Sequence, residues 1–308
     1  MSGSIVFAYH NVGVRCLSVL LAHGIKIPLL VTHVDNPNEA IWFDSVAKLA
    51  AEHDIPTITP DDPNTQEIVE RIRALQPDFI FSFYYRNMLK TPLLAIPRRG
   101  AFNMHGSLLP KYRGRVPVNW AILYGEVETG ATLHAMTEKP DDGAIVDQQA
   151  VPILPNDTAL DVFHKVTCAA ELALNRCLPD LLAGTARMMP QDLSKGSYFG
   201  GRRAEDGKIN WLNDAPTIHN LVRAVAPPYP GAYSSLAGKT LRILRSRVEL
   251  QHLPNTTAPQ FYCDGAHCYA NCANSTVLRI LAFEWDGKPM DAATFIAMFG
   301  TAPQVLEN

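Results

Sequence analysis

The chain has 308 residues, 47% of them hydrophobic and 19% charged, with a formal net charge of −3. That balance excludes a disordered polymer. A mean hydropathy of −0.02, with no uninterrupted apolar run of about 18 residues, gives no membrane span. Residues 1–190 carry 16 basic and 20 acidic side chains and the remainder 11 and 10, so neither part has the basic excess needed to grip a nucleic-acid backbone.

Met1-Ser2-Gly3-Ser4 runs straight into Ile5-Val6-Phe7-Ala8-Tyr9 without a basic n-region or a long apolar core. No export signal is read there, and a cytoplasmic protein with reduced thiols is expected. Cys263, His267, Cys268 and Cys272 do not have paired CxxC spacing, and neighbours on a strand point to opposite faces. They read as small side chains in a β-rich segment, and no metal is expected.

In chain order, residues 5–9 form an apolar strand and residues 14–22 a helix, with Val14, Leu17, Leu20 and Leu21 at helical spacing. Residues 27–32 read as a second strand. Residues 41–53 read as an amphipathic helix carrying Phe43, Val46, Leu49 and Ala50 on one side. A short strand at 57–59, a helix at 66–75 and strands at 79–83 and 100–105 follow. This alternation predicts βαβ units. The fold class is α/β: a Rossmann-like, mostly parallel sheet with helices on both faces, plus a smaller C-terminal β domain. The first turn, Ala8-Tyr9-His10-Asn11-Val12-Gly13, is not GxGxxG, which disfavours an NAD-linked role. A long helix is expected from Thr158 to about Leu182, capped by Asp157 or Thr158 and stopped at Gly184. Residues 188–206 read as a linker between a domain at 1–187 and one at 207–305. Past the linker, a helix over 217–224 and short runs separated by Asp-Gly and Pro-Gly turns predict a small barrel or sandwich.

The densest polar stretch is Asn103-Met104-His105-Gly106-Ser107-Leu108-Leu109-Pro110-Lys111-Tyr112-Arg113-Gly114, at the end of a strand. Ligands of open α/β sheets bind just outside such carboxyl ends. Asn103 and His105 are two apart, so both side chains face one way on extended backbone. Asp141, in Lys139-Pro140-Asp141-Asp142-Gly143, offers a carboxylate on a turn before a strand. An amide can hold an oxyanion, an imidazole can move a proton, and a carboxylate can orient the imidazole. Such a trio suits attack of a substrate amine on a carbonyl carbon, with no nucleophilic Ser or Cys. Spacing alone leaves His105 open between that role and a satisfied structural histidine.

The run Asn103-x-His105-x-Ser107-Leu108-Leu109-Pro110, then Arg113-Gly114 and Asp141-x-Gly143-x-Ile145, resembles the signature of the formyltransferases that use N10-formyltetrahydrofolate. The resemblance also runs through Val6 to His10, Thr32 to Pro37, Phe81 to Arg86, Phe199 to Arg203 and His219 to Val225, and covers most of residues 4–290. It implies an OB-like C-terminal β-barrel. It implies Asn103 as oxyanion holder, His105 as proton carrier and Asp141 as the group that orients His105. It places folate at Asn87, Met88, Leu89, Arg115, Thr137, Glu138, Lys139, Pro140 and Asp141. Lys111, Arg113, Arg202 and Arg203 are candidates for an acceptor diphosphate. Within the family the match is to the branch that formylates UDP-4-amino-4-deoxy-L-arabinose, a step towards lipid A modification and cationic-peptide resistance. The implied partner is thus a small nucleotide-sugar, with no nucleic acid. Homo-oligomers stay open. The loop Phe199-Gly200-Gly201-Arg202-Arg203 has an extra glycine, and Tyr229 stands where Trp is usual; both bear on the acceptor more than on the chemistry. The alternatives are methionyl-tRNA formyltransferase, a formyltransferase for another amino sugar, and a binding protein without turnover.

Overall fold

The computed structural model describes residues 3–37, 39–249 and 259–307. Contacts divide the chain into two units: Met1–Pro117 with Glu128–Pro152 and Phe163–Gly200, and Val118–Val127 with Ile153–Val162 and Gly201–Asn308.

The first unit is built on a seven-stranded sheet. Its strands are β1 (Gly3–Ala8), β2 (Lys26–Val31), β3 (Thr57–Ile58), β4 (Phe79–Phe83), β5 (Ala101–His105), β7 (Glu128–Ala135) and β8 (Ile145–Pro152), in the order β3-β2-β1-β4-β5-β7-β8. The first five are parallel, while β7 and β8 run antiparallel to their neighbours. A short parallel pair joins β6 (Arg113–Gly114) to β9 (Tyr198–Phe199). The unit's helices are α1 (His10–Ala22), α2 (Val46–Glu52), α3 (Gln66–Ala74), α4 (Thr91–Leu94) and, from Phe163 onward, α6 (Ala159–Ala183). All five residues of β4 are buried, as a central strand covered by helices on both faces requires. This is the expected Rossmann-like class.

The region at 41–53 differs from its reading as one helix. Only Val46–Glu52 is helical, started by Ser45, whose Oγ accepts from the Lys48 N–H at 3.3 Å. Trp42 and Phe43 instead pack on the His10 ring, with centroids 4.5 and 3.9 Å away. Aromatic packing to α1 holds them outside the helix. In α6 the cap is reciprocal: Thr158 Oγ1 accepts from Asp161 N–H at 3.3 Å and Asp161 Oδ2 accepts from Thr158 N–H at 2.9 Å. Met189 exchanges two 2.8 Å backbone hydrogen bonds with Ile145, tying the start of the 188–206 segment to β8.

The second unit holds α5 (Pro117–Leu123) from Val118 onward, α7 (Ala215–Ala224), capped by Asp214, and an antiparallel sheet. Its strands are β10 (Ala232–Leu236), β11 (Lys239–Glu249), β12 (Gln260–Cys263), β13 (Cys268–Asn271), β14 (Val277–Trp285), β15 (Lys288–Met290) and β16 (Gln304–Val305), with α8 (Ala292–Phe299) before the last. The order β10-β11-β14-β13-β12-β16, with β15 on β14, curls into the expected OB-like half-barrel. Trp211, Phe261 and Phe295 are fully buried in its core, and the Trp211 indole N–H donates to Ser234 Oγ at 2.8 Å. The expectation of reduced thiols is corrected at one pair. Cys263 and Cys268 face each other across the β12–β13 hairpin, Cα atoms 4.1 Å apart, and are disulfide-bonded. The register places both side chains on the same face, which linear spacing does not reveal. Cys16, Cys177 and Cys272 are free and buried, and Cys168 is free and exposed.

The Phe261 ring lies 4.8 Å from that of Phe295 and 5.1 Å from that of Phe283. Phe261→Ala is expected to cost about 3–5 kcal/mol, read as a lower urea midpoint for the whole chain. A loss under about 1 kcal/mol would mean this core closes over the gap.

Candidate active site

Three strands and one turn build the site. Asn103 and His105 project from the carboxyl end of β5, and the antiparallel register sets Asn103 opposite His134 of β7. Asp141 sits on the turn between β7 and β8 at φ +56°. Gly143 makes that turn possible: a Cβ there would lie 1.9 Å from the Ala135 carbonyl oxygen. The Gln191 amide donates to the Asp141 and Gly143 carbonyls at 3.0 and 2.7 Å and fixes the turn from outside.

The structure brings Asn103, His105 and Asp141 together. Asp141 Oδ1 lies 3.5 Å from His105 Nδ1 and 3.4 Å from His134 Nε2, and Oδ2 accepts from the Gly114 N–H at 2.9 Å. Burial by itself pushes the Asp141 carboxyl up. The His105 and His134 imidazoles and the Gly114 N–H outweigh it and hold the group well below the usual carboxylate range. Asp141 is therefore ionised at any working pH. His105 Nε2 is 2.8 Å from the Tyr112 carbonyl oxygen. A carbonyl only accepts, so Nε2 carries a proton, and the atom left to take or release one is Nδ1, beside Asp141.

The loop after β5 is pinned by its own polar groups. Ser107 Oγ donates to the Lys111 carbonyl at 2.6 Å, Thr132 Oγ1 to the Ser107 carbonyl at 2.6 Å, and the Gln148 amide to the Leu109 carbonyl at 2.9 Å. Gly114, at φ +96°, passes so close to β9 that a Cβ would lie 2.1 Å from the Phe199 carbonyl oxygen. These contacts aim the Gly114 N–H at Asp141.

Of the residues singled out for folate, Met88, Leu89 and Glu138 line one concavity of about 440 Å³ with Lys90, Thr91 and Pro92. Leu89 is buried, and Met88 is half exposed. Asn87 turns away to donate to the Asp61 carbonyl at 2.9 Å, and Thr137 Oγ1 donates to the Lys139 carbonyl at 3.0 Å and to Asp142. Arg115, Thr137, Lys139 and Pro140 do not line the concavity. Among the acceptor candidates, Lys111 is exposed and Arg113 partly buried in the first unit. Arg202 and Arg203 belong to the second. There the Arg202 guanidinium lies 4.8 Å above the Trp120 ring and donates to the Asp206 carbonyl at 2.9 Å, and burial lowers its pKa.

His134 is the polar residue that sequence reading missed. The available signal was its place opposite Asn103, which needs the β5–β7 register. A second cluster occupies the ends of β1, β2 and β4. Tyr9 OH donates to Asp35 at 2.7 Å, Arg86 pairs with Glu39 at 2.8 Å and lies over the Tyr9 ring, and His33 stacks on Tyr85. Burial, with Arg86 adding to it, lowers the His10 pKa to about 3, so His10 is neutral.

Family comparison places the chain in one class. The formyl transferase model matches residues 22–178, and the model for formyl transferase, C-terminal domain, matches residues 202–300. The chain belongs to the formyl transferase family. Solved structures share the fold. An N-formyltransferase from Helicobacter canadensis, in complex with folinic acid and dTDP-3-aminofucose, is 22% identical with a TM-score of 0.72, over 91% of this chain and 99% of that one. A 4-N formyltransferase from Francisella tularensis is 19% identical with a TM-score of 0.64, over 78% and 95%. HypX from Aquifex aeolicus, in complex with tetrahydrofolic acid, is 17% identical with a TM-score of 0.61, over 96% of this chain and 47% of that one.

The Asp141 shift has a sign that can be measured. An unfolded Asp titrates near about 3.9. The folded value is lower, so Asp141 contributes stability that is full above that range and lost as pH falls through the folded value. Wild type is expected to exceed Asp141→Asn in urea midpoint at pH 5–7 and to lose that margin below about pH 4. A margin independent of pH would show that the carboxylate charge is not what its neighbours stabilise.

Proposed function

We propose that the protein transfers a formyl group from N10-formyltetrahydrofolate to the 4-amino group of a nucleotide-activated amino sugar, with UDP-4-amino-4-deoxy-L-arabinose as the acceptor. The supporting observation is the meeting of an amide, an imidazole and a buried carboxylate at the end of β5, in a chain of the formyl transferase family. The acceptor assignment rests on the sequence resemblance. The ligands of the Helicobacter canadensis enzyme and the 4-N specificity of the Francisella tularensis enzyme agree with its class. We place the reaction in the cytoplasm and in a catalytic domain at residues 1–187, linked through 188–206 to the domain at 207–305.

The folate supplies an activated formyl carbon. The chain's residues then have three tasks. Asn103 donates an N–H to the oxygen that becomes negative when the sugar amine adds to that carbon. His105 accepts the excess amine proton at Nδ1 and returns it to the folate nitrogen as the carbon–nitrogen bond to folate breaks. Asp141 stabilises the imidazolium between those two events. The products are a formamide and tetrahydrofolate, so atoms and charge balance without a metal or an oxidant. The concavity at Met88, Leu89 and Glu138 fits a flat heterocycle with an apolar side and a polar edge, and we assign it to the pterin.

The test is incubation with N10-formyltetrahydrofolate and, separately, UDP-4-amino-4-deoxy-L-arabinose, a dTDP-linked 4-amino-6-deoxyglucose and methionyl-tRNA, with formylated product read by mass spectrometry. Product from the UDP sugar is expected. Product from the dTDP sugar alone would replace the acceptor, and product from tRNA would overturn the small-molecule reading. Asn103→Ala is expected to lower kcat by ~10²–10³, roughly 2.7–4 kcal/mol, with the fold intact. Near-normal turnover would remove Asn103 from the chemistry.

A further inference from the structure

Met88, Leu89 and Lys90 wall the concavity assigned to the pterin, yet they lie outside every strand and helix. Among the described residues no main-chain hydrogen bond ties Met88 or Leu89 to the rest of the chain. A ligand that had to order such a loop on binding would lose affinity to the chain entropy removed. The loop is already held, by the segment between β3 and α3. Asn64 Nδ2 donates to the Met88 carbonyl at 2.9 Å, and Asn64 Oδ1 accepts from the Lys90 N–H at 2.8 Å. One side-chain amide thus pairs with the carbonyl of one residue and the N–H of the residue two further on, as a neighbouring strand would. The bridge requires those two groups to point the same way, which on extended backbone turns the N–H and C=O of Leu89 the other way. Among the described residues neither Leu89 group has a hydrogen-bond partner. Asn64 does not itself line the concavity.

The orientation of that amide is fixed by a third partner. Asn64 Nδ2 also donates to Asp62 Oδ1 at 2.9 Å, and the same carboxylate oxygen accepts the Asn64 main-chain N–H at 2.9 Å. The main-chain N–H first, and then the side-chain amide, hold the Asp62 carboxyl below the usual carboxylate range, so the acceptor stays charged. Turned by 180°, Asn64 would set its oxygen against the Asp62 carboxylate and the Met88 carbonyl, and its NH2 against the Lys90 N–H. All three partners therefore select one orientation. Asn87 Nδ2, donating to the Asp61 carbonyl at 2.9 Å, joins the same two loops at a further point.

We propose that Asn64 is a positioning residue for folate: it orders the wall at residues 88–90 before the ligand arrives, and Asp62 sets the orientation of its amide. The proposal rests on the assignment of that concavity to the pterin.

The test reads the loop and the ligand separately. In ¹H–¹⁵N spectra of the full chain, exchange of the Lys90 amide in D2O reports its bond to Asn64 with no ligand present. Asn64→Ala is expected to speed that exchange roughly tenfold or more. Unchanged exchange would overturn the proposal whatever the ligand does. Folinic acid, a stable folate, is then titrated into wild type by calorimetry. No binding would remove the assignment of the concavity, and the proposal with it. With wild type binding, Asn64→Ala is expected to raise the folinic acid Kd and the folate KM by roughly five- to tenfold, with kcat at saturating folate and the acceptor KM unchanged. A merely structural role would lower kcat with the amount of folded protein and leave the folate KM in place. Asp62→Ala is expected to raise the Kd by roughly twofold, and Asp62→Asn, whose Oδ1 can accept the same N–H groups, to restore the wild-type value. A wild-type Kd in Asn64→Ala, with the Lys90 amide exchanging faster, would overturn the proposal and leave the folate assignment standing. The binding arm needs no acceptor, so a failed formylation assay does not decide it.

Discussion

The arrangement at the end of β5 depends on keeping one carboxylate charged away from water. Asp141 loses most of its hydration, a cost of several kcal/mol for an isolated ion. The protein offsets it with an N–H and two imidazoles, each from a different part of the chain. Each compensating group is placed by backbone geometry. Gly114 is aimed by the β6–β9 pair, His105 by the end of β5, and His134 by the antiparallel register of β7. The turn that carries Asp141 needs a glycine at 143 and a glutamine at 191. A change in any of these is first a change in the solvation of that charge and only then a change in reactivity.

How much of this was legible in the sequence follows the range of the interactions. Asn103 and His105 could be paired because two-residue spacing on a strand is a local rule. Asp141 was reachable through a family pattern, and its depressed pKa was not, since it comes from residues at 105, 114 and 134 that meet only in the fold. His134 was invisible for the same reason. Its position within β7 reads as one polar residue among buried neighbours, and its meaning comes from the strand beside it. The failures elsewhere are of one kind. Residues 41–45 have helical periodicity, yet Trp42 and Phe43 are drawn to the His10 ring. The Cys263–Cys268 bond depends on cross-strand register.

The rings of His105 and His134 are anchored in opposite senses by main-chain carbonyls. The Tyr112 carbonyl accepts an N–H from Nε2 of one ring, and the Ala135 carbonyl accepts one from Nδ1 of the other. The anchoring carbonyls are seven and one positions away in the chain. Two identical side chains are thus turned differently by backbone alone.

The β5–β7 pairing has a consequence for how such an enzyme can change over time. Twenty-two residues separate the last residue of β5 from the first of β7, and the hydrogen-bonded register holds Asn103 against His134 whatever lies between. Insertions and deletions in that stretch would leave the amide–imidazole contact in place. A single residue gained within either strand would turn every side chain beyond it to the other face. The pairing thus fixes the amide–imidazole contact by register, while the stretch between the strands holds His105 through Tyr112 and Asp141 through Gly114.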